Sequence, residues 1–304
     1  MTTMAETALL WPEKTTELQN DMMDSARWNE LAWRPDDIVI ASWGKAGTTW
    51  VQQIVAQLVY EGEDVPVGEI SPWLEFVMFP KDAVLGGLES QSRRRFIKTH
   101  LPVHALGLRP DVKYLYVARD GRDVVFSMHP FMRGFAGAPR RLPGGPPVER
   151  PQINPDVRSF FREWLAGDQD VLAPFFPNIR GWWNARHLPN VRLLHYNKLK
   201  ADMAGEIAAI ANFLGIEPSE AAWPRILEHC GFDYMKRHAE TVGPLGARNL
   251  AGGSASFFHR GSNGRWREVL MDDDIAAYEE AVTANLEPDC ARWLATGEMP
   301  EAQP

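Results

Sequence analysis

The chain has 304 residues, 45% of them hydrophobic and 24% charged, and a formal net charge of −8 at pH 7. That length fits one large α/β domain or two small ones, and that apolar content argues against global disorder. The acidic balance disfavours a nucleic-acid or membrane-surface binder, so an anionic ligand has to be met by a local cluster of basic groups.

In chain order, residues 37–43 (DIVIASW), 95–99 (RFIKT), 112–118 (VKYLYVA) and 191–196 (VRLLHY) read as buried strands. A helix follows the first, with Val51, Ile54, Val55, Leu58 and Val59 on one face at helical spacing. A second begins near Asp120 and turns Val124 and Val125 to the core. A third carries Ile207, Ile210, Phe213 and Leu214 and stops at Gly215. Strands alternating with helices predict an α/β fold, a three-layer domain with a central parallel sheet flanked by helices. Residues 134–155, dense in Gly, Pro and Arg, predict a long surface loop, mobile or a lid over an acceptor. Residues 298–304 read as a frayed tail. The chain lacks a run of 18 apolar residues, and residues 1–10 lack the basic flank of a secretion signal. Cys230 and Cys290 have neither metal-type spacing nor a disulfide framework, and two reduced thiols in a cytoplasmic protein are expected.

Four segments carry chemistry. Gly44-Lys45-Ala46-Gly47-Thr48-Thr49-Trp50 lies between the first strand and its helix. Unpaired amides at a helix N-terminus, the helix dipole, a lysine and two hydroxyls make an anion site there. An ordinary strand–helix turn with a surface lysine is the alternative. Lys45 precedes Ala46, whereas a magnesium-nucleotide P-loop places Lys directly before Ser or Thr. Lys98-Thr99-His100-Leu101-Pro102 closes the second strand and sets a histidine on the rim where such sheets bind ligands; a structural histidine is the alternative. Arg119 ends the third strand, with Ser127 two helical turns on, so a guanidinium and a hydroxyl can meet one phosphate; an Arg119 pair with Asp120 or Asp123 is the alternative. Residues 257–266 (FFHRGSNGRW) form a Gly-punctuated loop that either closes on an anion or stays solvated.

Together these segments, in this order and spacing, resemble the cytosolic PAPS-dependent sulfotransferase family; the stretches Ser71-Pro72-Trp73-Leu74-Glu75 and Gly181-Trp182-Trp183 add to the likeness. The resemblance covers about residues 35–270. It implies a single domain over 1–304, related to the P-loop nucleotide kinases, with 3′-phosphoadenosine 5′-phosphosulfate (PAPS) as donor, adenosine 3′,5′-bisphosphate (PAP) as product, and no metal. It assigns Lys45, Gly47, Thr48 and Thr49 to the 5′-phosphosulfate, Trp50 and Phe232 to the adenine, and Tyr196 to the adenosine. Arg119, Ser127, Arg260 and Gly261 fall to the 3′-phosphate, with His259 in that loop. It makes His100 the base and Lys98 its electrostatic companion, with Lys45 set to neutralise charge on the oxygen that bridges phosphorus and sulfur. Trp73, Phe76, Met78, Phe79, Phe131 and Phe135 border the acceptor pocket, although plain core packing also accounts for such aromatics.

The chain departs from the family pattern in places. Ala46 replaces a serine, His259 an arginine, and Cys230 and Gly231 hydroxyl residues. The family's Lys-Thr-Val-Glu dimer segment is not recognisable in residues 268–279, so a monomer or a dimer of another geometry is expected. A small hydroxylated acceptor is the expected partner. A nucleotide kinase and a non-catalytic nucleotide-binding protein are the competing classes; the first loop suits both, but neither accounts for KTHLP.

Overall fold

A computed structural model describes residues 10–135, 140–141, 147–148, 152–167 and 172–300. Its centre is a parallel sheet of β1 (Ile38–Ala41), β2 (Phe96–Thr99), β3 (Lys113–Ala118) and β4 (Val191–His195), in the order β2–β1–β3–β4. Ile38 pairs with Phe96 on one side and with Lys113 on the other. All four β1 residues are buried, as continuous apolar runs are when both faces of a sheet are covered.

Alternation along the strands divides the core in two. Val39, Ala41, Tyr114 and Tyr116 face one layer, which holds Val124 and Val125 of α2 (Gly121–Arg133), Phe160 of α3 (Val157–Leu165) and Trp182 of α4 (Phe175–Asn184). Ile38, Ile40, Leu115 and Val117 face the other, with Ile54 of α1 (Thr48–Val59) and Ile207 and Ile210 of α5 (Met203–Leu214). The chain passes from β1 to β2 on one side, then crosses back to β3 on the other. That reversal opens a crevice at the carboxyl ends of β1 and β3. At the opposite end, Arg95 joins the two strand starts through Asp37, Nε to Oδ1 at 2.7 Å and Nη2 to Oδ2 at 2.5 Å, with both side chains fully buried.

The three helices expected from periodicity are present. α2 is capped by Asp120, whose carboxylate accepts the Arg122 N–H, and α5 stops at Gly215 with φ 66°. α1 is buried on more than the expected stripe: Gln52, Gln53 and Gln57 are also buried, and their amides donate to the carbonyls of Ser71, His229 and Glu63. The last strand ends one residue early, because His195 caps a helical turn, Tyr196–Ala201. Within the segment expected to be an irregular loop, Arg140–Arg141 pairs antiparallel with Pro147–Val148; residues 136–139, 142–146 and 149–151 lie outside the described residues, as do 301–304 of the tail. Among the described residues, no helix is long and apolar enough to cross a membrane. Both cysteines are buried free thiols.

Candidate active site

Lys45 (φ 63°) and Gly47 (φ 116°) both lie in the left-handed region, which turns the chain from β1 into α1. A Cβ at Gly47 would also stand 3.0 Å from the Tyr196 ring, so glycine is demanded twice over. The turn presents the first amides of α1, which have no intrahelical acceptor, to the crevice. Thr48 and Thr49 are buried there, and the Thr48 hydroxyl is hydrogen-bonded to that of Ser42. Lys45 Nζ lies over two rings, 3.7 Å from the centroid of Phe257 and 4.4 Å from that of Phe131. Burial first, then Lys98 and Arg119, depress its ammonium to about 7.

His100 follows β2 and is 4% exposed. Its Nδ1 lies 2.8 Å from the Ser42 carbonyl oxygen. A carbonyl only accepts, so the ring proton sits on Nδ1 and Nε2 keeps its lone pair. Burial, then Lys98, hold the imidazole well below its usual range and therefore neutral. Lys98 Nζ is 4.9 Å from the Trp73 ring centroid; burial depresses its ammonium to about 8, against the opposing pull of Glu75. Trp73 stands edge-on to the imidazole at 4.7 Å.

Arg119, buried at the end of β3, lies over the Tyr196 ring at 4.3 Å. It donates to Asn263 Oδ1 (3.0 and 2.6 Å) and to the Ser262 carbonyl (2.9 Å) rather than to a carboxylate; Asp120 is taken by Arg122. The late loop therefore reaches the tip of β3. Lys200 secures the same loop by donating to the Gly261 carbonyl at 2.6 Å. Gly261 has φ 60°, and a Cβ there would stand 2.8 Å from Phe232. His259 and Arg260 are exposed in this loop. Partial burial, then Arg265 and Arg260, lower the His259 pKa, so the ring is neutral near pH 7. Trp50 donates its indole N–H to the Cys230 carbonyl at 2.9 Å and meets Tyr196 edge-on at 5.5 Å.

On the other side, Trp73 stacks on Phe76 (4.5 Å), which meets Phe79 edge-on (5.5 Å). Phe131 meets Phe135 at 5.1 Å. One cavity of about 1790 Å³ is lined by every residue given a site role from the sequence: Lys45, Gly47, Thr48, Thr49, Trp50, Lys98, His100, Arg119, Ser127, Tyr196, Phe232, His259, Arg260 and Gly261 on the polar side, Trp73, Phe76, Met78, Phe79, Phe131 and Phe135 on the apolar side. Single-ligand pockets run to roughly 300–1,000 Å³, so this one has room for two ligands side by side. Sequence reasoning gave no individual role to Ser42, Phe257, Asn263 or Glu75, although the last three lie in segments it singled out. Among the described residues, no group of three or more His, Cys, Asp or Glu side chains is placed to hold a metal ion.

A β2–β1–β3–β4 parallel sheet with a left-handed glycine turn between β1 and α1, presenting unpaired helix amides to the crevice, defines a P-loop-like α/β protein. Residues 35–288 match the family model described as a sulfotransferase domain, and the chain belongs to the sulfotransferase family. It is 31% identical to a glycolipid sulfotransferase of Mycobacterium bovis (strain BCG / Pasteur 1173P2), over 91% of this chain and 93% of that one. It is 32% identical to human sulfotransferase 1E1, over 77% and 78% of the two chains. Among solved structures, mouse sulfotransferase SULT7A1 complexed with PAP superimposes with a TM-score of 0.66 at 21% identity, covering 88% of this chain and 90% of that one. Retinol dehydratase in complex with androsterone and PAP gives 0.67 at 23% identity, covering 91% of each. These two likenesses concern the fold.

Proposed function

We propose that this chain transfers the sulfuryl group of PAPS to the hydroxyl of a small, aromatic or apolar alcohol, with His100 as general base. The observation that carries the reading is the hydrogen bond from His100 Nδ1–H to the Ser42 carbonyl. It leaves a neutral imidazole with a free Nε2 lone pair in the same cavity as the anion-binding turn. The polar lining fits the donor: amides, hydroxyls and cations converge from Lys45, Thr48, Thr49, Arg119, Ser127 and Arg260. Trp50, Tyr196 and Phe232 offer rings to the nucleoside, and the late loop with His259, Arg260 and Gly261 offers the 3′-phosphate site.

In the reaction, His100 Nε2 takes the proton of the acceptor hydroxyl as its oxygen bonds to sulfur. The bond from sulfur to the bridging phosphate oxygen breaks, and PAP leaves. By analogy with phosphoryl transfer, positioning and charge compensation dominate; Lys45 answers the charge on the leaving oxygen. The aromatic wall receives the body of the acceptor. The glycolipid acceptor named for the mycobacterial relative supports an acceptor with a large apolar part. The reading includes no metal, nucleic acid or membrane, a single domain over 1–304, a monomer or unfamiliar dimer, and a cytoplasmic setting.

The test is turnover of labelled PAPS against a mixed library of hydroxyl compounds, in chelator, read by mass. Products heavier by one sulfuryl group, with PAP released in step, are expected. Folded protein that leaves PAPS unconsumed across the library, or that instead phosphorylates it from magnesium-ATP, overturns the reading.

A further inference from the structure

We propose that Glu75 is a positioning residue whose carboxylate locks the histidine base and the acceptor-side tryptophan into one rigid unit. The inference rests on the reading of His100 as the base. Glu75 is fully buried. Its Oε1 receives the main-chain N–H of His100 at 2.7 Å, the Thr99 hydroxyl at 2.9 Å and the Trp73 indole N–H at 2.5 Å. Its Oε2 receives the Trp28 indole N–H at 2.9 Å. All four of these partners donate, so the ionised carboxylate is the form the surroundings accommodate, although burial favours the protonated one.

Three of those donors belong to two segments that build the cavity, and they converge on one oxygen. Trp73, held by Oε1, stands edge-on to the imidazole and carries Lys98 over its face. Thr99, held by the same oxygen, in turn accepts the Leu101 N–H at 3.0 Å and so sets the turn that follows the base. An apolar side chain would fill this space without burying a charge, but would not set directions. The carboxylate sets them for base and wall together. It also acts on charge: Glu75 raises the Lys98 pKa against burial. The charged and titratable groups around the pair are Arg27, Lys45, Lys98 and His100.

The experiment compares kcat, its pH profile, PAP affinity and thermal stability for Glu75→Ala, Glu75→Gln, Glu75→Asp, Trp28→Phe and His100→Ala. Glu75→Ala should lower kcat about fiftyfold with PAP affinity within about twofold, because the base loses its orientation while the phosphate groups keep theirs. Glu75→Gln keeps an accepting oxygen but no charge, so the alkaline limb of kcat should move to lower pH by about one unit as Lys98 loses its proton earlier. Glu75→Asp keeps the charge but cannot reach all the donors, so kcat should fall with that limb unmoved. Trp28→Phe removes only the Oε2 donor, from a residue that does not line the cavity, and should cost stability with kcat within about twofold. The role is overturned if Trp28→Phe lowers kcat as much as Glu75→Ala for the same loss of stability. It is also overturned if Glu75→Gln leaves both kcat and its profile unchanged; should the alanine variant fail to fold, Gln and Asp decide. Turnover that survives His100→Ala would remove the base itself, whereas turnover lost there with both kcat and its pH profile unchanged in Glu75→Gln would remove only the positioning role.

Discussion

The Lys45 ammonium lies 3.7 Å from the centroid of the Phe257 ring, in a pocket it shares with Lys98 and Arg119. Aromatic faces offset part of the cost of that burial, but the proton is held weakly, with a pKa depressed to about 7. An anion bound beside Lys45 would stabilise the charged form. Linkage then has one sign: a ligand that prefers the protonated lysine binds more weakly as pH rises above the free-state value. PAP affinity should therefore fall between pH 7 and 9, by up to about tenfold per pH unit. Its phosphates are already ionised there, so their own titration does not oppose the trend. Lys45→Arg, charged throughout, should flatten the slope. Calorimetry across this range decides; the same slope in both proteins would mean that Lys45 does not meet the ligand.

Arg119 sets a second expectation. Its guanidinium lies over Tyr196 and is tied to Asn263, so it is oriented before any ligand arrives. Under the proposed assignment it reads the 3′-phosphate with Ser127 and Arg260. PAP should bind at least about a hundredfold more tightly than adenosine 5′-monophosphate, the scale of two charge-assisted contacts at roughly 1.5 kcal/mol each. Arg119→Ala should erase most of the difference. Equal affinities of the native protein for the two nucleotides would place the second phosphate elsewhere.

The strands and the glycine turn before α1 were legible in the sequence because local chemistry decides them. Strands covered on both faces must be apolar throughout, as Ile38–Ala41 is, and Gly47 stands where a positive φ is required. Partnerships over long separations were not legible. Asn263 reaches Arg119 across 144 positions, and Gln53 reaches His229 across 176; their side chains look like ordinary surface polarity until the fold brings the partners together. The burial of Gln52, Gln53 and Gln57 hid the true width of the buried face of α1 for the same reason. Glu75 is the sharpest case, since an acid between apolar neighbours has no local explanation and its meaning lies in Trp28, Trp73, Thr99 and His100.

The Asp37–Arg95 pair yields a prediction about stability alone. Both side chains are fully buried, and Asp37 also accepts the Arg34 N–H at 2.9 Å. Asp37→Ala would strand a guanidinium away from water. The expected loss is about 3–5 kcal/mol, the usual penalty for breaking a buried pair from one side. The pair sits at the amino ends of β1 and β2, opposite the cavity, so PAP affinity of the folded fraction should be unchanged. Urea denaturation measures the first quantity and calorimetry the second; a loss below about 1 kcal/mol would show that water reaches the site.

The two histidines of the cavity should separate cleanly. His100 donates from Nδ1 to Ser42 and keeps Nε2 free, whereas His259 accepts from Arg265 at 3.4 Å in the late loop. His100→Ala should cut turnover at saturating donor by at least about a hundredfold, the low end for a lost general base, with PAP affinity little changed. His259→Ala should do the reverse, weakening PAP several-fold while turnover at saturation holds. Protonation adds an independent check. A base works in its neutral form, and burial with Lys98 holds His100 well below its ordinary value of 6.5. The neutral form therefore persists as pH falls, and kcat should stay flat from about pH 7 to 6, where an unperturbed imidazole would already lose activity. Turnover and PAP affinity measured on both variants, with the native kcat profile, test each step. Near-normal turnover in His100→Ala would require the acceptor proton to leave by another route, and a native kcat that halves near pH 6.5 would mean that the imidazole is more hydrated than its 4% exposure implies.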